Sequence, residues 1–128
     1  MREILFRGKR VDNGEWVQGD LYHRNEEVLI NNFHEGFNLA IIPETIGQYT
    51  GLTDKNGTKI FEGDILKFTH NKEDENPVIY SIEWKNDRGC YGYAETEYKL
   101  IEIDVLHCEV IGNIHDNPEL LKGGGKNE

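Results

Sequence analysis

The sequence is poor in the residue types from which nucleophilic and redox sites are built. Its one serine, Ser81, lies in a strand-like alternating segment, and the chain lacks the Gly-x-Ser-x-Gly sequence of a nucleophile elbow. Its two cysteines, Cys90 and Cys108, are not spaced as a Cys-x-x-Cys pair, which predicts two reduced thiols packed as small apolar side chains. No residue is therefore predicted to be catalytic, and we expect a protein that is not an enzyme.

Positive charge and long apolar runs are also scarce. The 128 residues include 14 lysines and arginines against 24 aspartates and glutamates, a net charge of -10, which disfavours binding to nucleic acid and to anionic lipid. No apolar run approaches the roughly 20 residues that a membrane span requires, and no secretory apolar region is recognisable. We expect a cytoplasmic protein without a membrane partner.

The scarce positive charge is concentrated at the start of the chain. Residues 1–24 hold five basic and four acidic residues, whereas the rest of the chain holds nine basic and twenty acidic ones. This polarity favours contact between the basic start of one copy and the acidic remainder of another, and so predicts a homo-oligomer. The candidate interaction surface consists of four basic and two aromatic residues: Arg2, Phe6, Arg7, Lys9, Arg10 and Trp16.

The candidate interaction surface has two further interpretations. Interleaved basic and aromatic side chains are typical of proteins that bind single-stranded nucleic acid, because bases stack on the rings and phosphates contact the cations. A basic edge strand also resists aggregation. The strongly negative remainder of the chain favours a protein partner over nucleic acid.

Short alternating apolar segments separated by glycine-containing turns predict an all-β protein. The clearest hairpin pairs a strand over 77–84 with a strand over 90–98 through a turn over 86–89. Near the end of the chain, the sequence predicts a short helix, with Asn117 as its N-cap and Pro118 at its first position. The chain is thus expected to be built from hairpins, with little helix.

A near-repeat suggests two similar units. The segment 13–21 recurs as 56–65 with one additional residue, and both segments contain an Asn-Gly turn and a Gly-Asp step. Gly19 and Gly63, the glycines of the two Gly-Asp steps, are predicted to form a bulge or sharp bend before the next strand.

Carboxylates and histidines are the remaining candidates for chemistry. Asp20 and Asp64, with Glu62, lack a histidine or third carboxylate at a fixed spacing, so a structural role is favoured over an acid–base or metal pair. His107 is followed directly by a cysteine, but adjacent residues in a strand point to opposite faces, which is unfavourable for shared ligation. No metal or cofactor is predicted. A hydrolase or metal site between subunits, built from Asp64, Glu62, His107 or His115, is the open alternative.

Composition divides the chain into three segments. Residues 1–52 predict a small N-terminal β unit, residues 53–122 a second β unit with the size of a small barrel, and residues 123–128 a disordered tail. The polar, charged segment 71–76 predicts a solvated loop. The proline- and glycine-containing segment 38–51 is expected to join the two β units.

Several separated sequence boxes together resemble the YopX family. They agree with the family in order and spacing over nearly the whole chain, with little of the pattern in residues 69–106: Arg2–Lys9, Asn13–Leu21, Ile42–Leu52, Asp54–Gly57, Ile60–Leu66 and Val110–Leu121. The resemblance implies a bacteriophage or prophage protein of Gram-positive bacteria whose C-terminal part is an SH3-like barrel, and a tendency to form homo-oligomers. It implies no substrate, cofactor or catalytic residue.

The favoured function is a non-catalytic module that binds its own copies and a host or phage protein in the cytoplasm of the host cell. The alternative is a nucleic-acid accessory module that uses the basic N-terminal strand. Nucleic-acid binding predicts an affinity that falls steeply with added salt, whereas protein binding predicts capture of a partner that survives nuclease treatment.

Overall fold

The protein consists mainly of antiparallel β-strands. A computed structural model describes residues 3–68, 78–100 and 104–122. These residues form ten strands, two short 3-10 turns and one helical turn, which confirms the all-β prediction. The elements are β1 (Phe6–Lys9), β2 (Trp16–Arg24), β3 (Glu27–Asn32), β4 (Gly36–Ala40), β5 (Gly47–Thr53), β6 (Lys59–Phe61), β7 (Asp64–Phe68), β8 (Val78–Lys85), β9 (Cys90–Tyr93), β10 (Cys108–Asn113) and α1 (Glu119–Lys122).

The chain divides into two compact units, Met1–Gly51 and Leu52–Glu128. In the first unit, β1 pairs on one side with the first half of β2 and on the other side with β5. The second half of β2 pairs with β3, and β3 pairs with β4. A 3-10 turn over Pro43–Thr45 precedes β5. β2 therefore takes part in two pairings along its length and changes partner after Gly19.

Both sides of β3 contribute to the core of the first unit, because the adjacent residues Leu29 and Ile30 are both almost fully buried. Val17, Ile30 and Ile41 are almost fully buried in a single cluster. The 3-10 turn is fixed to β1 by Thr45, whose Oγ1 accepts a hydrogen bond from the backbone N–H of Lys9 at 2.9 Å. Strand alternation places Arg7, Lys9 and Gln18 on the side of β1 and β2 opposite Val17.

Gly19 lies within β2, so the prediction that a new strand begins after this glycine is wrong. β2 runs without interruption over Trp16–Arg24. A Cβ atom at position 19 would overlap the carbonyl oxygen of Asn31 and the side chain of Ile30. Glycine is required because two backbones approach closely where β2 changes partner. Gly63 does lie in a turn between β6 and β7, with a φ of 94°, so the predicted bend is confirmed at that position.

The second unit contains a four-stranded sheet in the order β10-β7-β8-β9. β8 and β9 form the predicted hairpin, in which Lys85 pairs with Cys90 across the turn. The second strand of this hairpin ends at Tyr93 and not at residue 98 as predicted. Glu95 has a φ of 65°, so the chain turns there instead of remaining extended.

Apolar and aromatic side chains fill the core of the second unit. The buried cluster contains Ile60, Leu66, Phe68, Ile82, Tyr93 and Cys108. Phe68 and Tyr93 meet edge to face, with ring centroids 5.4 Å apart. Cys90 and Cys108 are not joined in a disulfide; Cys108 is fully buried as predicted, whereas Cys90 is half-buried.

The two units share one order of strand pairing. In each, one strand (β1 or β7) pairs with the next strand (β2 or β8) and with the last strand (β5 or β10). The second strand of each unit pairs in turn with a third strand, β3 or β9. The third strand has a further partner, which is β4 in the first unit and Lys99, bridged to Gly92, in the second. A 3-10 turn, Pro43–Thr45 or Asp104–His107, precedes the last strand. The SH3-like barrel predicted for the C-terminal part stays a prediction.

The sequence repeat and the shared pairing order do not coincide. Residues 13–21 supply a turn and most of β2, the second strand of the first unit. Residues 56–65 supply β6 and the start of β7, which is the strand equivalent to β1. Two similar units are present, but the repeated sequence occupies different positions in them.

The end of the described chain is a single helical turn, α1. Asn117, predicted to cap it, instead accepts a hydrogen bond from the backbone N–H of Asn113 through its side-chain oxygen at 3.2 Å. Within the described part of the chain, no helix has the length and apolar character needed to cross a bilayer. The predicted loop 71–76 and tail 123–128 lie outside the described residues.

Candidate interaction surface

The β1–β2 pair places three of the predicted side chains on one face. Arg7 lies opposite Gln18 and Lys9 lies opposite Trp16 in the antiparallel register. Opposed residues point to the same side of a sheet, and successive residues point to opposite sides. Arg7, Lys9, Trp16 and Gln18 therefore form one face, here called the Trp16 face, whereas Val17 points into the core.

Two cations lie close to the indole of Trp16. The guanidinium carbon of Arg7 lies 4.7 Å from the ring centroid, and Nζ of Lys9 lies 5.7 Å from it. Both distances are within the range of about 6 Å over which cations are attracted to an aromatic face. Trp16 is half-buried, so the cations hold its ring in place while part of its surface stays accessible.

An open hollow of about 450 Å³ adjoins the Trp16 face. Its lining residues, which define the Trp16 hollow, are Arg7, Trp16, Val17, Gln18, Asn32 and Glu35. Nδ2 of Asn32 donates to the carbonyl oxygen of Gln18, which joins the β3 wall of the hollow to β2. An indole, a guanidinium, an amide and a carboxylate offer a ligand both packing area and hydrogen-bond partners.

Arg10, also predicted for this surface, is engaged by acidic side chains. Its Nε and Nη2 donate to the two carboxylate oxygens of Asp12 at 3.0 and 2.8 Å. Its Nη1 lies 3.9 Å from Oε1 of Glu35. The hydrogen bond from Arg10 lowers the pKa of Asp12. Because its charge is locally neutralised, Arg10 adds little positive potential to the Trp16 face.

We expect the change Arg10→Met to raise the pKa of Asp12 towards its ordinary value of 3.8. The carboxylate would lose the hydrogen bonds and the positive charge that stabilise its ionised form. An NMR titration of the aspartate carboxyl carbons measures this shift. The wild-type protein, titrated under the same conditions, is the control. An unchanged Asp12 midpoint would show that the ion pair does not form in solution.

Two predicted members of the surface do not belong to the Trp16 face. Phe6 pairs with Gly19 and precedes Arg7 in β1, which places it on the opposite side of the strand. Arg2 lies outside the described residues. Of the six predicted residues, the structure thus brings together Arg7, Lys9 and Trp16.

An exposed aromatic pair between β3 and β4 was missed by the sequence analysis. Phe33 exposes 92% of its surface and Phe37 exposes 64%. Their ring centroids lie 6.2 Å apart at an interplanar angle of 64°. Oδ1 of Asn32 accepts hydrogen bonds from the backbone N–H groups of the two residues after Phe33, which fixes the turn. Residues Phe33–Phe37 are called the hairpin tip. Two phenylalanines around a polar, glycine-containing turn were the available signal.

Asp64, one of the candidate acid–base residues, contacts the backbone of its own unit. Asp64 is buried, and its Oδ2 accepts a hydrogen bond from the backbone N–H of Phe61 at 2.7 Å. Asp20 belongs to the first unit and Asp64 to the second. His107 is exposed, whereas Cys108 is buried. In residues 3–68, 78–100 and 104–122, no three histidine, cysteine, aspartate or glutamate side chains are grouped so that they could hold a metal ion.

A second hollow, of about 690 Å³, lies beside the β8–β9 turn. It is lined by Arg88, Gly89, Cys90, Glu97, Tyr98 and Lys99. Nη1 of Arg88 donates to the carbonyl oxygen of Glu97 at 2.9 Å, and the carboxylate of Glu97 lies 3.9 Å from Nη2. Since Arg88 is engaged by Glu97, which also lines this hollow, the Trp16 hollow is the stronger candidate for a binding site.

The comparison with known families covers almost the whole chain. The family model described as YopX protein matches residues 5–122. The chain belongs to the YopX family. The resemblance drawn from the sequence boxes is thereby confirmed, and the match includes both the Trp16 hollow and the hairpin tip.

This YopX-family protein is also similar to a solved structure, the crystal structure of protein EF1440 from Enterococcus faecalis. The two chains are 26% identical with a TM-score of 0.63, and the similarity covers 94% of this chain and 99% of that chain. No curated protein matches the chain. The comparisons therefore support the fold, and a function has to be argued from the residues of the surface.

Proposed function

We propose that this YopX-family protein is a non-catalytic protein-binding module that associates with its own copies and with a host or phage protein. The observation that carries the proposal is the Trp16 hollow, where two cations lie 4.7 and 5.7 Å from the centroid of an indole ring. Tryptophan and arginine are enriched at the energetic centres of protein interfaces. An indole held in one orientation also loses less conformational freedom when a partner binds.

The charges around the hollow favour protein over nucleic acid. Arg10 is paired with Asp12, and Glu35 lines the hollow itself. A carboxylate in the site repels phosphate, and the chain as a whole has a net charge of -10. Mixed charges of both signs are instead typical of surfaces that recognise another protein.

The setting of this function is part of the proposal. The YopX resemblance of the sequence boxes points to a bacteriophage or prophage protein. Such a protein would act in the cytoplasm of the infected cell, where the thiols of Cys90 and Cys108 stay reduced.

We expect the tagged protein to capture a stoichiometric protein from host lysate whether or not the lysate is treated with nuclease. The change Trp16→Ala should abolish capture, because it removes the largest ring of the Trp16 hollow. The matched control is Trp84→Ala, which removes the other tryptophan, 43% exposed, from the second unit and should leave capture unchanged.

The same experiment discriminates the alternative function. Arg7 and Lys9 over an aromatic ring are also what single-stranded nucleic acid would contact. Recovery of nucleic acid that nuclease abolishes would overturn the protein-binding proposal in favour of that alternative. Equal capture by the Trp16→Ala and wild-type proteins would show that the Trp16 hollow is not the binding site.

A further inference from the structure

We infer that the Trp16 hollow of one copy receives the hairpin tip of a second copy, in a two-fold dimer that buries both. The inference rests on the proposed function and specifies which surfaces of the two copies meet. Four features of the first unit lead to it: the exposure of the tip, its position beside the hollow, the size and lining of the hollow, and the distribution of charge.

The hairpin tip exposes two large apolar side chains to solvent. Phe33, at 92%, has the highest exposure among the large apolar side chains of the described residues. Phe37 lies against it edge to face, so the two rings form one projecting apolar group. Exposed aromatic groups of this kind typically mark a surface that another molecule covers.

The tip and the hollow adjoin each other on the same unit. Asn32 and Glu35 line the Trp16 hollow, and they flank Phe33 in the turn. The high exposure of Phe33 shows that the tip does not fill the hollow of its own chain. A surface that includes both an inserting and a receiving part is self-complementary, since a two-fold rotation brings each tip to the hollow of the other copy.

The lining of the hollow suits phenylalanine. Its volume of about 450 Å³ leaves room for a phenylalanine ring. Trp16 offers a ring for an edge-to-face contact, and the Arg7 guanidinium offers a cation for the face of an incoming ring.

The charges of this surface are complementary to those of the same surface on a second copy. Arg7 and Lys9 lie on the Trp16 face, and Glu35 lies in the hairpin tip. When the tip of one copy enters the hollow of the other, its carboxylate approaches the two cations. A partner of uniform charge would satisfy one sign and repel the other, which favours a second copy as the occupant.

The first test is the oligomeric state of the full chain. We expect sedimentation equilibrium from about 1 µM to about 500 µM to show a reversible monomer–dimer equilibrium. The double change Phe33→Ser and Phe37→Ser should raise the dissociation constant at least about thirtyfold. Tyr98→Ser, which removes a 69% exposed aromatic ring from the second unit, is the matched control and should leave the constant unchanged.

The second test is complementation between two defective variants. The variant without the tip, Phe33→Ser with Phe37→Ser, keeps its hollow, and Trp16→Ala keeps its tip. Neither should dimerise alone, but an equal mixture should form a heterodimer, because one tip and one hollow remain as a working pair. Folded variants are required for this result, so it separates the interface from a loss of stability.

The results of these two tests either support or overturn the inferred interface. A monomer at every concentration, a dimer unaffected by the tip substitutions, or a mixture without heterodimer would each overturn the inferred interface. If the chain is monomeric and the Trp16→Ala change still abolishes capture of a host or phage protein, self-association is rejected together with the dimer, and the binding of a host or phage protein through the Trp16 hollow stands.

Discussion

Replacing Asp54 by alanine is expected to lower the free energy of unfolding of the second unit by about 3–5 kcal/mol. Asp54 is almost fully buried. Its Oδ1 accepts hydrogen bonds from the backbone N–H groups of Asn56 and Thr58, each at 2.9 Å, and its Oδ2 accepts one from Val110 at 2.8 Å. Alanine would leave three backbone donors without these acceptors, at a cost of about 1–3 kcal/mol for each donor that stays shielded from water.

Two other substitutions separate the hydrogen bonds from the loss of a side chain. Asp54→Asn keeps one acceptor oxygen but turns an NH₂ group towards a backbone donor, so we expect about half the loss seen with alanine. Asp12→Ala removes an exposed carboxylate and should change stability by about 0.5 kcal/mol or less. Urea unfolding of all variants, with Trp16→Phe so that Trp84 reports on the second unit, gives the comparison. A loss with Asp54→Ala no larger than with Asp12→Ala would refute this role.

Half of the role of Asp54 is visible in the sequence. An aspartate two residues before an Asn-Gly turn commonly accepts hydrogen bonds from the following backbone, which accounts for the bonds to Asn56 and Thr58. The bond to Val110 joins residues 56 positions apart in the chain. Only the folded sheet brings β10 to this carboxylate, so no local pattern predicts its contribution to the second unit.

Local sequence patterns predicted the pairing of β8 with β9 correctly but not the residue at which β9 ends. Alternation and a glycine-containing turn specify the pairing of Lys85 with Cys90. The strand ends at Tyr93, where Oγ1 of Thr96 donates to the Tyr93 carbonyl oxygen at 2.8 Å and Glu95 takes a positive φ. A threonine and a glutamate are ordinary strand and loop residues, so their turn could not be recognised in the sequence.

The candidate site was predicted in part for the same reason. Arg7 and Lys9 share a face because they are two residues apart in a strand, and that much follows from the sequence. The register of β1 against β2, which adds Trp16 and excludes Phe6, depends on how the hairpin closes. The exposure of Phe33 is the opposite of what its apolar character suggests, so the hairpin tip became visible only in the structure.

Gly19→Ala is expected to destabilise the first unit by about 2–4 kcal/mol, one of the largest losses from adding a single methyl group. The added Cβ would overlap the carbonyl oxygen of Asn31, a backbone atom that cannot rotate away. Relief requires β2 to separate from β3 at the point where β2 changes partner. That separation would also disturb Ile30, which is completely buried in the core of the unit.

Gly14→Ala in the same unit supplies the control for glycine as such. Gly14 has a φ of 74° with no atom within 4 Å of the added Cβ, so its substitution costs only the strain of a positive φ, about 1 kcal/mol. Urea unfolding followed by Trp16 emission in a Trp84→Phe background compares the two. If Gly19→Ala cost no more than Gly14→Ala, close approach would not explain the glycine. A larger loss at Gly19 would mean that the two Gly-Asp steps need glycine for different reasons: contact between backbones at Gly19, and a positive φ at Gly63.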